Sequence, residues 1–230
     1  MSVIARAMAL RAGDQRGIWR AERLDAVDSS INRLIDLEAA SDIIRSWDMR
    51  FVPGLLQVPH YSLGVIKGTA RRLSDDVARE RMFMKNMRVD ALSRRLAGMQ
   101  TPTREPLARF VVGELALTQQ WTFDAHEQQL RHLLHMAAHP HVRIQVLPLR
   151  RLACAASDHF SLYSGLHQET RQYAGYAETD AGGMVVTHPD DTMRLLGVFA
   201  DLSSDALGEG ESMQVIQREL DRWTVKARRS

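Results

Sequence analysis

Val142-Arg143-Ile144-Gln145-Val146-Leu147-Pro148 is the stretch that decides the fold class. Val142, Ile144 and Val146 alternate with Arg143 and Gln145, the period of a half-buried strand, and Pro148 ends it. Just upstream, Leu130, Leu133, Leu134 and Ala137 share one stripe, which predicts a helix closed by Pro140. Asp124 with Glu127 three residues on resembles a capping box at its start. Further upstream, Arg109-Phe110-Val111-Val112 reads as a strand, so the helix is embedded between strands. Downstream, 159–164, 172–178 and Val185-Val186 read as three more strands. Both flanks are helical. Before the strands come predicted helices over 26–47, 60–68 and 74–97, the last opened by Ser74-Asp75-Asp76 as N-cap and acidic first turn. After them, Pro189-Asp190-Asp191 opens a helix, Gly208-Glu209-Gly210 forms a hinge, and Ser212 caps a last helix through Trp223. This order predicts an α+β fold: N-terminal helices, a small central, mostly antiparallel sheet with one embedded helix, and a C-terminal helix pair.

The chain has 230 residues, 45% hydrophobic and 25% charged, which excludes disordered, collagen-like and disulfide-scaffold classes. Residues 1–25 read as an extension and 26–230 as one domain, with a possible sub-boundary near 99–107 at Thr101-Pro102-Thr103 and Pro106. A net charge of +2 argues against a dedicated nucleic-acid surface. Lys67, Lys85 and Lys226 are the only lysines; a G+C-rich genome accounts for the arginine excess more simply than bidentate anion pairing. Cys154 stands alone, no apolar leader opens the chain, and no window reaches the length of a membrane span. A cytoplasmic protein without membrane contact is expected.

Several groups could carry chemistry. His126, His132, His135, His139 and His141 crowd one helix and its end, but no acid or cysteine completes a ligand spacing, so no metal is expected. His159 opens one strand and Glu178 ends another; if the strands pair, the two could meet as an acid/base couple. Glu114 follows an apolar strand and is expected to be partly buried and paired with Arg81 or Arg88. Tyr61, Tyr163, Tyr173 and Tyr176 could line a cavity, and Met82, Phe83, Met84 and Met87 form an adaptable apolar face. Cys154 has no adjacent histidine. No phosphate loop, dinucleotide fingerprint or nucleophile elbow is present, so no cofactor is expected.

Ordered matches along the chain add a resemblance. Phe51-Val52-Pro53-Gly54-Leu55-Leu56-Gln57 with Tyr61 resembles a "vPGLLQT-x-x-YA" signature. Leu37-Glu38-Ala39-Ala40 with Ile44-Arg45 precedes it, and Glu80-Arg81 with Arg88 matches an Arg-rich helix. Gly113 to Leu117, Gln129-Leu130 with Leu133, Val142 to Pro148, Tyr176 to Thr179 and Glu211 to Ile216 continue the series. Together these resemble the C-terminal sensor or partner domain of actinobacterial XRE-type, WhiJ-like, antitoxin-like helix-turn-helix regulators. In those regulators a DNA-reading helical unit comes first. The residues ahead of the first predicted helix here are too few for one, so a sensor domain acting without direct DNA contact is expected. The resemblance implies a ligand- or partner-binding regulatory role, with a small molecule or small partner protein, and the last helix is a candidate homodimer contact. Tyr61, Gln57, Arg81, Met84 and Tyr176 are then the ligand-facing residues. The alternative is a cofactor-independent enzyme of specialised metabolism, a cyclase, isomerase or lyase using His159, Glu178 and Glu114.

Overall fold

A computed structural model describes residues 27–69, 74–99, 105–118, 125–151, 159–165, 173–179 and 182–227. Helix α1 (Val27–Ala40) leads into strand β1 (Ile43–Asp48). A single-turn helix (Gly54–Leu56), α2 (Pro59–Thr69) and α3 (Asp75–Gly98) follow. Then come β2 (Ala108–Gly113), α4 (Glu114–Thr118), α5 (His126–Ala137) and β3 (Val142–Leu147). The chain closes with β4 (His159–Ser164), β5 (Tyr173–Thr179), β6 (Gly182–Val186), α6 (Pro189–Asp205) and α7 (Glu209–Ala227). The α+β class is as expected. The six strands form one sheet in the order β3-β2-β1-β4-β5-β6. β1, β2 and β3 run parallel because helices connect them, whereas β4, β5 and β6 join antiparallel.

One predicted element divides in two. The helix expected over 26–47 stops at Ala40, and its last residues form the central strand β1. Ser41 Oγ donates to Glu38 O at 3.1 Å. The two terminal nitrogens of Arg95 donate to Glu38 O and Ser41 O, each at 2.6 Å. The carbonyls at the helix end are therefore satisfied without another turn. β1 has four consecutive buried residues, Ile44 to Trp47, covered on both faces. Such a strand shows no alternation, and Ile43 with Trp47 imitates a helical i,i+4 stripe.

Other boundaries follow the sequence. Ser74 caps α3 by accepting from Val77 N. Asp124 lies outside the described residues; α5 starts after Ala125, which offers no side-chain cap. Ser212 does not cap the last helix, because α7 already begins at Glu209. Gly208 N instead donates to Glu211 Oε2 at 3.2 Å, the reach-back half of a capping box. Gly165, after β4, has φ +80 and lies against Asp42, so a side chain there would be both strained and blocked.

Side chains alternate across the sheet and separate two cores. On one face Ile44, Phe110, Ile144 and Tyr163 pack with Leu34, Leu56, Tyr61, Leu92, Leu130 and Ile216 from the single-turn helix and helices α1, α2, α3, α5 and α7. On the other, Trp47, Val111, Leu147 and Phe160 meet Phe199, Leu202 and Ala206 of α6 and its end. Each such large side chain contributes roughly 1.5–3 kcal/mol by leaving water. Among the described residues, no helix is long and apolar enough to cross a membrane.

Candidate functional site

The Pro53-Gly54-Leu55-Leu56-Gln57 turn is fastened by its own polar groups. Gln57 is buried; its Nε2 donates to Val52 O at 2.5 Å. Its Oε1 accepts from Ser62 Oγ at 3.1 Å and from Lys85 Nζ at 2.5 Å. Tyr61, fully buried, accepts from Val52 N at 3.3 Å, and burial pushes its hydroxyl well above the ordinary tyrosine range. Gln129 of α5 clamps the turn, donating to Leu56 O at 2.7 Å and accepting from Val58 N at 2.8 Å. Gln57 and Tyr61, expected to face a ligand, are thus engaged in holding this turn.

Beside it lies a buried ion pair. Arg88 takes Glu38 rather than Glu114 as partner, through Nε to Oε2 at 2.9 Å and Nη2 to Oε1 at 2.6 Å. Burial works against the guanidinium charge, but Glu38 outweighs it and holds the group above its ordinary value. Tyr163 OH donates to Glu38 Oε1 at 3.5 Å; burial, then the Glu38 charge, push that hydroxyl far up. Tyr176 is buried, and its hydroxyl reaches so close to Gly183 that a Cβ there would collide with it. Arg81 and Met84 are half-buried on α3; Arg81 Nε is buried without a hydrogen-bond partner among the described residues.

His159 lies opposite Asp48 in the antiparallel β1–β4 register. The β4–β5 pairing runs from Ser161–Tyr176 to Ser164–Tyr173, and Glu178, two residues beyond it on β5, pairs with Gly183 of β6. Asp48 Oδ1 accepts from Arg50 N at 2.9 Å and Phe51 N at 2.8 Å. Burial raises the Asp48 carboxyl to about 6, although those amides and the His159 charge pull it down. Glu114 sits at the carboxyl end of β2, where its Oε2 accepts from Leu149 N at 2.9 Å. It borders a cleft of about 580 Å³ with Arg150, Glu211 and Arg218.

The sheet face under α6 carries a feature that sequence reading missed. Arg45, Arg109 and Arg143 are in register on β1, β2 and β3 and form one row across the parallel strands. Neighbouring strands lie about 4.8 Å apart, so three guanidinium stems rise within about 10 Å. They line a groove of about 430 Å³ with Phe199, Ser203 and Glu209. Arg45 donates to Ser164 Oγ at 2.9 Å and lies 3.6 Å from Glu105. Arg143 pairs with Glu209 at 2.5 Å. Arg109, between them, forms no ion pair among the described residues; its guanidinium carbon lies 5.9 Å from the Phe199 ring centre. Burial first, then the like charges of Arg45 and Arg143, disfavour its cation. Burial also disfavours that of Arg45, opposed by Glu105. Arg109 Nε and the hydroxyl of Ser203 are buried without hydrogen-bond partners among the described residues. The signal was an Arg at the start of each of two predicted strands, Arg109 first in one and Arg143 second in the other. Its third member, Arg45, was hidden by reading β1 as helix.

The histidines do not converge. His126 is buried and meets the Trp223 ring edge-on at 4.9 Å, with Nε2 3.1 Å from Leu117 O. Burial lowers its affinity for a proton, and burial with His135 does the same at His132. Among the described residues, no group of three or more His, Cys, Asp or Glu is arranged to hold a metal ion. Cys154 lies outside the described residues. Phe83 and Met87 are exposed on α3, so that part of the methionine-rich face is surface and not core.

Comparison with known proteins gives one family. A family model described as Domain of unknown function (DUF5753) matches residues 31–218. No curated protein and no solved structure matches the chain.

Proposed function

The chain belongs to the DUF5753 family, and from that premise we propose that it is a ligand-binding regulatory domain whose ligand enters the groove between the sheet and α6. The arginine row in that groove carries the reading. Buried polar atoms are nearly always hydrogen-bonded, yet Arg109 Nε and Ser203 Oγ in this one groove have no hydrogen-bond partner among the described residues. By contrast, on the opposite face Gln57 is bound to Val52 O and Lys85, and Glu38 is bound to Arg88. The groove volume falls within the roughly 300–1,000 Å³ usual for small-molecule sites. Resemblance to the sensor domain of helix-turn-helix regulators supports the regulatory role. The near balance of 30 basic and 28 acidic side chains fits action without direct DNA contact.

The test is melting of the purified chain in a small-molecule extract of the source cells, with Ala200→Trp as a plugged groove. The expected result is a rise in melting temperature that the plugged variant lacks. An extract that leaves the wild-type chain unmoved overturns the reading.

A second reading, a cofactor-independent enzyme, draws on Asp48 and His159. A carboxyl raised to about 6 opposite a histidine has the character of a general acid/base couple, with Asp48 as an additional candidate beside Glu178. Here His159→Ala and Asp48→Asn would each abolish consumption of a metabolite from the same extract, with Asp48→Asn melting no lower than wild type. Undiminished consumption in both removes the couple.

A further inference from the structure

Three arginines line the groove against one glutamate, Glu209, so its lining carries a net charge of two positive units, three less one. Guanidinium groups do not shed their proton to relieve this crowding. The charges stand within roughly one Debye length at physiological salt, so solvent ions screen them only partly. Among the described residues, Arg143 has Glu209, Arg45 has Ser164 Oγ and a half-exposed Glu105 3.6 Å away, and Arg109 has the face of Phe199 but no ion pair. A single carboxylate would answer one arginine. The row as a whole calls for a compact ligand with two or more negative charges and several acceptor oxygens, the chemistry of phosphate and diphosphate groups. The Ser203 hydroxyl adds a neutral donor on the α6 side.

We propose that this groove binds a phosphoryl-bearing small molecule through Arg45, Arg109 and Arg143, with Glu209 as a built-in competitor for Arg143. The proposal rests on the groove reading above and adds the ligand class. Glu209 is the first residue of α7, so an incoming oxyanion that takes Arg143 releases the start of that helix. Ligand occupancy and the α6–α7 junction are thereby coupled. The sign of the effect follows: removing Arg109 weakens binding, and removing the Glu209 charge strengthens it.

The experiment is titration calorimetry and melting of the full chain with pyrophosphate, inorganic phosphate and citrate, at matched ionic strength in sodium chloride. Wild-type protein is expected to bind pyrophosphate and to melt several degrees higher in it. Arg109→Met should lose at least roughly tenfold in affinity. Its ligand-free form should melt no lower than wild type, since a buried, crowded charge has been replaced by an apolar chain. A merely structural arginine would lower melting instead. Arg143→Gln is the second variant should Arg109→Met misfold, and Glu209→Gln should bind several-fold tighter. No binding of either phosphate probe by wild type overturns the proposal, as does equal binding by Arg109→Met and Arg143→Gln. Binding of citrate alone overturns the phosphoryl class. In each of these cases an extract shift abolished by Ala200→Trp would leave the groove reading standing, so the two failures are distinguishable.

Discussion

Asp48 shows how position turns an ordinary side chain into a titrating one. Its carboxyl sits near 6 because burial disfavours the anion more than two backbone amides, His159 and Arg50 favour it. An unfolded aspartate titrates near 3.9. Between those values the folded chain holds the proton more tightly, so the fold is progressively penalised as pH rises from about 4 through 6. Asp48→Asn keeps an oxygen acceptor for the two amides and removes the charge. Its stability relative to wild type should therefore rise between pH 4 and pH 7, by on the order of 2 kcal/mol after solvent screening, and then level off. Urea midpoints at several pH values read this directly, and a flat difference would mean that Asp48 does not titrate in that range. None of this was legible in sequence, because Asp48 seemed to follow a helix. Glu38 was equally hidden: it was read as part of a motif, and Glu114 was expected to be the acid beside Arg88. What decided the matter was the approach of α3 to the end of α1, which no spacing rule supplies.

At the scale of elements, strands with one buried face were legible and the doubly covered strand was not. β3 announced itself by alternation and β1 vanished into a helical stripe. β3 is also an edge strand, and exposed edges invite pairing with other chains. Here the α6–α7 junction closes that edge. Leu207 N donates to Val146 O at 2.9 Å, and Val146 N donates to Ser212 Oγ at 2.9 Å. Gln145 Nε2 donates to Leu207 O at 3.1 Å. Ser212, expected as a helix cap, is instead a fully buried stand-in for a neighbouring strand. Ser212→Ala should cost about 1–3 kcal/mol by stranding the Val146 amide. It should also raise the aggregation propensity of the chain, which light scattering at a fixed protein concentration would register. An unchanged melting temperature together with unchanged scattering would argue that water replaces the hydroxyl at this edge.

Across the whole molecule the two sheet faces are unequal, and the inequality bears on function. One face is buried under the main helical core, which draws on α1, α2, α3, α5 and α7. The other is covered by α6, held through seven buried residues, Trp47, Val111, Leu147, Phe160, Phe199, Leu202 and Ala206. Along the same face the arginine row replaces apolar contact with three charges. Local opening requires breaking only the contacts of the segment that opens, so α6, on the smaller core, has less to lose than α5. Hydrogen exchange in the free chain should accordingly find the amides of α6 less protected than those of α5, which lies in the larger core and buries Leu130, Leu133 and Met136. A ligand bridging the arginines and Ser203 adds contacts only when α6 is closed. Pyrophosphate at saturating concentration should thus slow exchange in α6 and the start of α7 while leaving α5 unchanged. Equal protection of α6 and α5 in the free chain would contradict the unequal-face argument. Slowing spread evenly over all helices would mean that the anion acts on global stability and not through the groove.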